Sequence, residues 1–262
     1  MRKLIFANMT RLRKNKLFWA GIVISMAYSV FLLIMNYLEM LISPEAEIMP
    51  LNWYFLSALS VAGIFCAVFC GLFIGTEYND GTMRNKLIAG HKRTDIYLAN
   101  VIIIFLAEVI ISLVACIVVL IIGIPLFGCY FVYPMRFALN IFCGILMLGA
   151  FAGVFSLIAM LSSNKATSAT ACMITYVVLF VIGNLLRVKV FSNYGMMPSV
   201  NASDETLRLV MEFLYDFLPT GQSFQISSGV ILHPYRFPLY AIINIGLTTV
   251  CGLAIFKKKD LK

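Results

Sequence analysis

Few side chains in this 262-residue chain are of a type and spacing to do chemistry. The two histidines, His91 and His233, are separated by three long apolar runs, which put them on opposite sides of a membrane. No Ser-His, paired-Asp or Glu-His cluster lies within an apolar run, so a membrane protease or lipid-modifying enzyme lacks its acid–base pair. Cys66 and Cys70 share a helix face at i, i+4, but no histidine or further thiol joins them, and they read as small apolar packing residues. Of the seven cysteines, six lie in apolar runs and Cys129 alone in a loop, so no disulfide framework is implied. The G-x-x-x-x-G-K-[ST] loop that cradles nucleotide phosphates is absent, so ATP would have to be hydrolysed by another chain. The expected catalytic set is empty: no enzyme, no metal ligands, no cofactor on this chain. One ionisable side chain remains, Glu108, about eleven residues into an apolar run and so near the middle of a bilayer at roughly 1.5 Å per residue.

The elements that must position these residues follow from composition. The chain is 61% apolar and only 12% charged, with a mean hydropathy of +0.94. A soluble domain is about 45–50% apolar and about 25% charged, so an integral membrane protein is the reading that remains. Six segments reach the ~20 apolar residues a spanning helix needs: roughly 19–41, 53–75, 97–122, 137–161, 169–186 and 238–256. Runs such as VIIIFLAEVIISLVACIVVLII are apolar all round, unlike the one-sided helices of a soluble fold. They come in blocks rather than alternating, which argues against a β-barrel. The expected fold is therefore all-α and polytopic, a single transmembrane domain over 1–262. The fifth span is short, ending early or continuing as a broken helix. The stretch 212–231, interrupted by Pro219 and Gly221, reads as a short helix, a turn and a second short segment that dips into the membrane without crossing it.

The net charge of +8 is ambiguous until it is sorted by side. With the N-terminus inside, 15 of the 20 basic residues fall in cytoplasmic segments with four acids, giving +11 there and −2 outside. Retention of Lys and Arg in the cytoplasm is the orientation signal, so both termini are expected inside. The charge then needs no nucleic-acid partner. The first apolar run is too long for a cleaved signal peptide and no small-residue cleavage site follows it.

Two non-spanning segments carry information. Residues 1–18 are basic and partly amphipathic: Ile5, Met9 and Leu12 share a face, with Arg11, Arg13, Lys14 and Lys16 around it. Such a helix suits the inner headgroup layer, as does an ordinary positive flank. The loop TEYNDGTMRNKLIAGHKRTDIY, 76–97, is richer than a connector. Asp80 can cap a following helix, Thr82 to Ala89 makes about two turns, and Gly90 is placed to stop it. Thr94 or Asp95 can cap the next helix. The result is a short surface helix with apolar and basic groups exposed, suited to a groove on a soluble partner.

Here the chain resembles a family. The run from Glu77 to Arg93, E-Y-x-x-G-T-x-R-x-K-L-x-x-G-x-x-R, resembles the first cytoplasmic loop of ABC-2-type permeases, the membrane subunits of many bacterial ABC exporters. The basic N-terminus resembles their elbow helix, FLPTGQ (217–222) an element after the fifth span, and GLAIFKKKDLK (252–262) their usual ending. The resemblance implies a coupling helix over 80–93 that seats in a separate ATPase, with Asp80, Gly81, Thr82, Arg84, Lys86, Leu87, Gly90 and Arg93 at or beside the contact. The loop 162–168, with Lys165, would be a second contact. It further implies two permease subunits, identical or paralogous, with two ATPase subunits that hold ATP and Mg. The setting would be a bacterial cytoplasmic membrane and its lipid, and the substrate hydrophobic or amphipathic. Antimicrobial or toxin peptides are favoured, with drugs or lipids as alternatives. A stand-alone secondary transporter would want repeated halves or paired broken helices, and neither is evident.

Three further candidates remain open. Glu108 is either a polar spot on a translocation path or subunit interface, or a carboxyl bonded between helices with Ser112 one turn along. Gly149 and Gly153 form a small-xxx-small pair, suited to packing within one chain or to a seam between subunits. In the long segment 187–237, a surface helix is expected from about 203 to 217 with Ser203 as its cap.

Overall fold

A computed structural model describes residues 1–42, 49–128, 133–193 and 205–259. Cys129, the Ser203 cap and the final Asp260-Leu261-Lys262 lie outside the described residues. Among those described, the chain is all helix: α1 (Arg2–Lys14), α2 (Lys16–Ile42), α3 (Leu51–Ser60), α4 (Ala62–Asn79), α5 (Thr82–Ile88), α6 (Arg93–Phe127), α7 (Pro134–Leu161), α8 (Lys165–Asn193), α9 (Glu205–Phe217), α10 (Pro219–Ser228) and α11 (Arg236–Lys258). Six stretches are long and apolar enough to cross a membrane: Lys16–Ile42, Leu51–Asn79, Arg93–Phe127, Pro134–Leu161, Lys165–Phe191 and Arg236–Lys258. In lipid a helix satisfies its own backbone, which is why an apolar block this long takes no other form.

The helices outrun the apolar stretches because their ends carry polar residues held by neighbours. α6 has 35 residues, roughly 50 Å of helix, well beyond a ~30 Å hydrocarbon core. Its first two turns are packed at the end of the bundle that holds Met1 and Lys259, the termini end, with Ile96 and Tyr97 fully buried. The fifth spanning helix is continuous from Lys165 to the edge of the described region, with Asn164 closing its start by accepting from the Thr167 N–H at 2.8 Å. The second span is broken instead: α3 ends at Ser60 and α4 begins at Ala62. There the Ser60 carbonyl accepts a bond from the Ser223 hydroxyl of α10 at 2.9 Å.

The core lies where α4 meets α6, α7 and α8, with Phe69, Phe73, Phe151 and Phe155 fully buried. Glycines let the backbones close. A Cβ on Gly71 or Gly75 would sit 2.8 Å from the Cα atoms of Ala169 and Lys165 in α8. Gly149 and Gly153 do the same service for α7 against Ile245 and Thr248 of α11, within this one chain. Away from the termini, the 212–231 stretch forms the end of α9 and then α10. Pro219 is the first residue of α10 rather than part of a turn, a position where its missing N–H costs nothing. α10 is buried although polar: Gln222 donates to the Asp216 carbonyl and Gln225 to the Asp216 carboxylate, both at 2.9 Å. His233 closes the corner on the same carboxylate at 2.8 Å.

Candidate functional site

The termini end of the bundle is organised around one carboxylate. Glu77, in the last turn of α4, has a fully buried side chain. A charge in that position needs partners on every lone pair. Arg11 from α1 and Lys86 from α5 both reach its Oε1, the lysine at 2.5 Å. Asn100 of α6 donates to Oε2 at 3.0 Å. Asn8 of α1 completes the ring: it donates to Asn100 at 2.7 Å and accepts from Lys86 at 3.0 Å. Arg11 also bonds the Phe73 carbonyl and Thr76 and lies over the Phe73 ring at 4.1 Å. Burial draws the Arg11 pKa below its ordinary value, opposed by the Glu77 and Asp80 carboxylates; a guanidinium there stays charged. Four helices thus meet on one carboxylate, and moving any of them disturbs the others.

α5 is held as a separate short element between two turns. Gly81 (φ 63°) opens it and Gly90 (φ 85°) ends it. After Gly90 the chain makes the paired C-terminal bonds of a Schellman turn, Gly90 N–H to the Leu87 carbonyl and His91 N–H to the Lys86 carbonyl. The cap differs from expectation: Gly81, not Asp80, precedes the helix, and Asp80 closes α4. The Thr82 hydroxyl ties α5 back to the Glu77 carbonyl at 3.1 Å. Likewise α6 is preceded by Lys92, not capped by Thr94 or Asp95, and Asp95 instead lies 3.7 Å from the N-terminal amine.

This geometry sorts the residues singled out in the sequence into two sets. Lys86 points inward to Glu77, Leu87 packs against the core, and Arg93 turns onto the Phe256 and Lys259 carbonyls that end α11. Thr82, Arg84 and Gly90 remain exposed, as does Lys165 across the surface. The outward apolar group of α5 is Ile88, 74% exposed. Of the elbow cations, Arg13, Lys14 and Lys16 are exposed while Arg11 is committed to Glu77. The second surface loop is braced too. Lys259 donates to the Met160 and Ser162 carbonyls at the end of α7 and sits 4.2 Å from the Tyr78 ring. Burial lowers the Lys259 pKa to about 8.

Glu77, Asn8 and Asn100 were not among the sequence candidates. Their signal was present: Asn8 sits between Leu4 and Leu12 on the apolar face of α1, and Asn100 interrupts an apolar run. Glu108 is fully buried in α6, and neither its carboxylate oxygens nor the Ser112 hydroxyl has a hydrogen-bond partner. Ser112, one turn along, makes no bond to it, and the Cys66 thiol of α4 faces the carboxyl.

At the other end, α3, α4, α8 and α10 surround an open cleft of about 440 Å³. It carries aromatic rings, six serine or threonine hydroxyls and one cation, Arg187.

A family model described as ABC-2 family transporter protein matches residues 4–184. That range runs from α1 through the two surface loops into α8, and it includes every residue of the Glu77 cluster. Among curated proteins, no similar sequence was found.

Proposed function

The chain belongs to the ABC-2 transporter family, and on that premise we propose that it is the membrane permease of an ATP-driven exporter, worked by a separate ATPase through α5. The carrying observation is the mounting of α5. A free surface loop would transmit nothing. This helix is instead pinned through Lys86 to a buried carboxylate that also holds α1, α4 and α6. A partner that pulls or tilts α5 therefore acts on three other helices at once.

The outer face of α5 offers the partner an apolar knob, Ile88, flanked by Arg84, and Lys165 of the second loop is exposed where α8 packs on the end of α4. That pattern fits a groove with an apolar floor and an acidic rim. Two permeases and two ATPases would complete the machine, with ATP and Mg held by the ATPases. The exposed apolar faces of α2 and α8 would meet lipid or the second permease. The substrate is hydrophobic or amphipathic; resemblance to peptide exporters favours an antimicrobial or toxin peptide, with drugs and lipids as alternatives.

The test is assembly. The permease expressed with its ATPase should copurify, and the double variant R84E/I88D should release the ATPase while the permease keeps its thermal midpoint. An intact complex in that variant would move the docking site off α5.

A further inference from the structure

The far-end cleft has a charge pattern that narrows what it can hold. Arg187, on α8, is partly buried in its wall and contacts the Phe224 ring at 5.5 Å. Among the described residues no carboxylate pairs with it, and no acidic side chain lines the cleft. A partly buried guanidinium at the mouth of an apolar bundle is stabilised by an anion partner through charge-assisted bonds. The nearby hydroxyls do not neutralise it, because most are already spent: Ser60, Thr220, Ser223, Ser227 and Ser228 each donate to a backbone carbonyl. The donors that remain are the Ser57, Tyr28 and Tyr176 hydroxyls and the Trp53 indole N–H, which make no hydrogen bond among the described residues. Every uncommitted polar group in the cleft that carries charge is thus positive, and the others can all donate.

The cleft does not end there. A second cavity of about 290 Å³, almost purely apolar, runs between α2, α4 and α6. It shares Tyr28, Val61 and Ile64 with the first, so the two are adjoining compartments. Each has the size of a small-molecule site, about 300 Å³ or more. One compartment is cationic and donor-rich, and the next is greasy.

We propose that the two compartments together bind an amphiphile with an anionic head, a phosphate or carboxylate, at Arg187 and a single apolar chain along α2 and α4. The inference rests on the exporter reading and gives its substrate a charge. It selects acidic amphiphiles over cationic peptides.

Trp53 lines the head compartment, and the only other tryptophan, Trp19, lies near the termini end with its indole bonded to the Arg13 carbonyl. A W19F chain in nanodiscs of zwitterionic lipid therefore reports the cleft through Trp53 alone. The probes are brominated fourteen-carbon amphiphiles differing in head: lysophosphatidylglycerol, a fatty carboxylate, lysophosphatidylcholine and a trimethylammonium. Saturable quenching by the two anions, at least roughly ten-fold tighter than by the cation, is expected, since charge-assisted bonds to Arg favour the anion by about that much. Comparing the phosphate and carboxylate arms identifies the head. R187Q should abolish the preference and R187K retain it. Ser25→Phe, which fills the apolar compartment, should weaken the fourteen-carbon probes and spare six-carbon ones. Equal quenching by anion and cation, or quenching linear in probe as for bulk partition, overturns the proposal. So does a Trp53 shielded from every probe, as a second subunit seated in the cleft would make it. None of these readouts needs the ATPase, so failure here leaves the coupling test standing, and failure of that test leaves this one readable.

Discussion

At the scale of single residues, Glu77 is the side chain on which the termini end depends. Its own group is fully buried, while Arg11 and Lys86 keep 30% and 16% of their side chains exposed. Removing the carboxylate therefore strands two cations that water can still partly reach. E77Q should cost about 3 kcal/mol, near the low end for breaking a buried ion pair. K86M should cost less, roughly 1–2 kcal/mol for the lost bonds to Glu77 and Asn8, because Arg11 still neutralises Glu77. Thermal unfolding of the purified permease measures both; K86M as damaging as E77Q would show that the carboxylate is not the shared anchor. Residue identity alone made Glu108 conspicuous and left Glu77 in its shadow. A charge in the middle of an apolar run is visible in one dimension. A charge at the end of a run looks like an ordinary flank until three other helices are folded onto it. Glu108 has no comparable set of partners: its carboxyl faces the Cys66 thiol, and the neighbouring Ser112 hydroxyl makes no bond.

At the scale of elements, apolar block length was enough to place all six spans, since a backbone in lipid has few alternatives. It was not enough for their ends or breaks. Those depend on tertiary partners: Ser223 at the break after α3, Asn164 at the start of α8, the Glu77 ring at the start of α6. α10 shows the same limit. Pro219 and Gly221 resemble a turn, yet Pro219 begins a helix, and a Cβ on Gly221 would lie 2.0 Å from the Tyr215 carbonyl oxygen. Helix contacts also decide what each glycine is for. At Gly75 an added methyl meets α8 backbone, which cannot swing aside, whereas at Gly246 it meets nothing within 4 Å. G246A should therefore stabilise by up to about 1 kcal/mol through helix propensity. G75A should destabilise by roughly 1–3 kcal/mol through overpacking. Paired melts of the two variants check the contrast; a harmless G75A would mean that α4 and α8 pack less closely than the structure has them.

At the scale of the whole molecule, the charge asymmetry and the bundle geometry make one claim about sidedness. The sequence assigns most of its cations to one side of six spans. The structure gathers the corresponding elements at one end: α1, α5, the turn before α8 and Lys259, tied to one another by the Glu77 ring and by the carbonyl bonds of Arg93 and Lys259. Tyr235, 94% exposed, stands at the opposite end, before α11. If basic residues are retained in the cytoplasm, the two ends face different compartments. Single cysteines at Arg84 and Tyr235 in a Cys129→Ser background separate them. The other six thiols lie within the spanning helices, Cys251 exposed on α11, so the Cys129→Ser parent without an added cysteine sets the background. In intact cells a membrane-impermeant maleimide should label Tyr235→Cys and leave Arg84→Cys untouched until the cells are opened. The reverse pattern would invert the molecule and put α5 beyond the reach of a cytoplasmic ATPase. Labelling of both in intact cells would mean that the three spans between Arg84 and Tyr235 do not all cross the membrane. Orientation is thus the premise on which the proposed coupling at α5 stands.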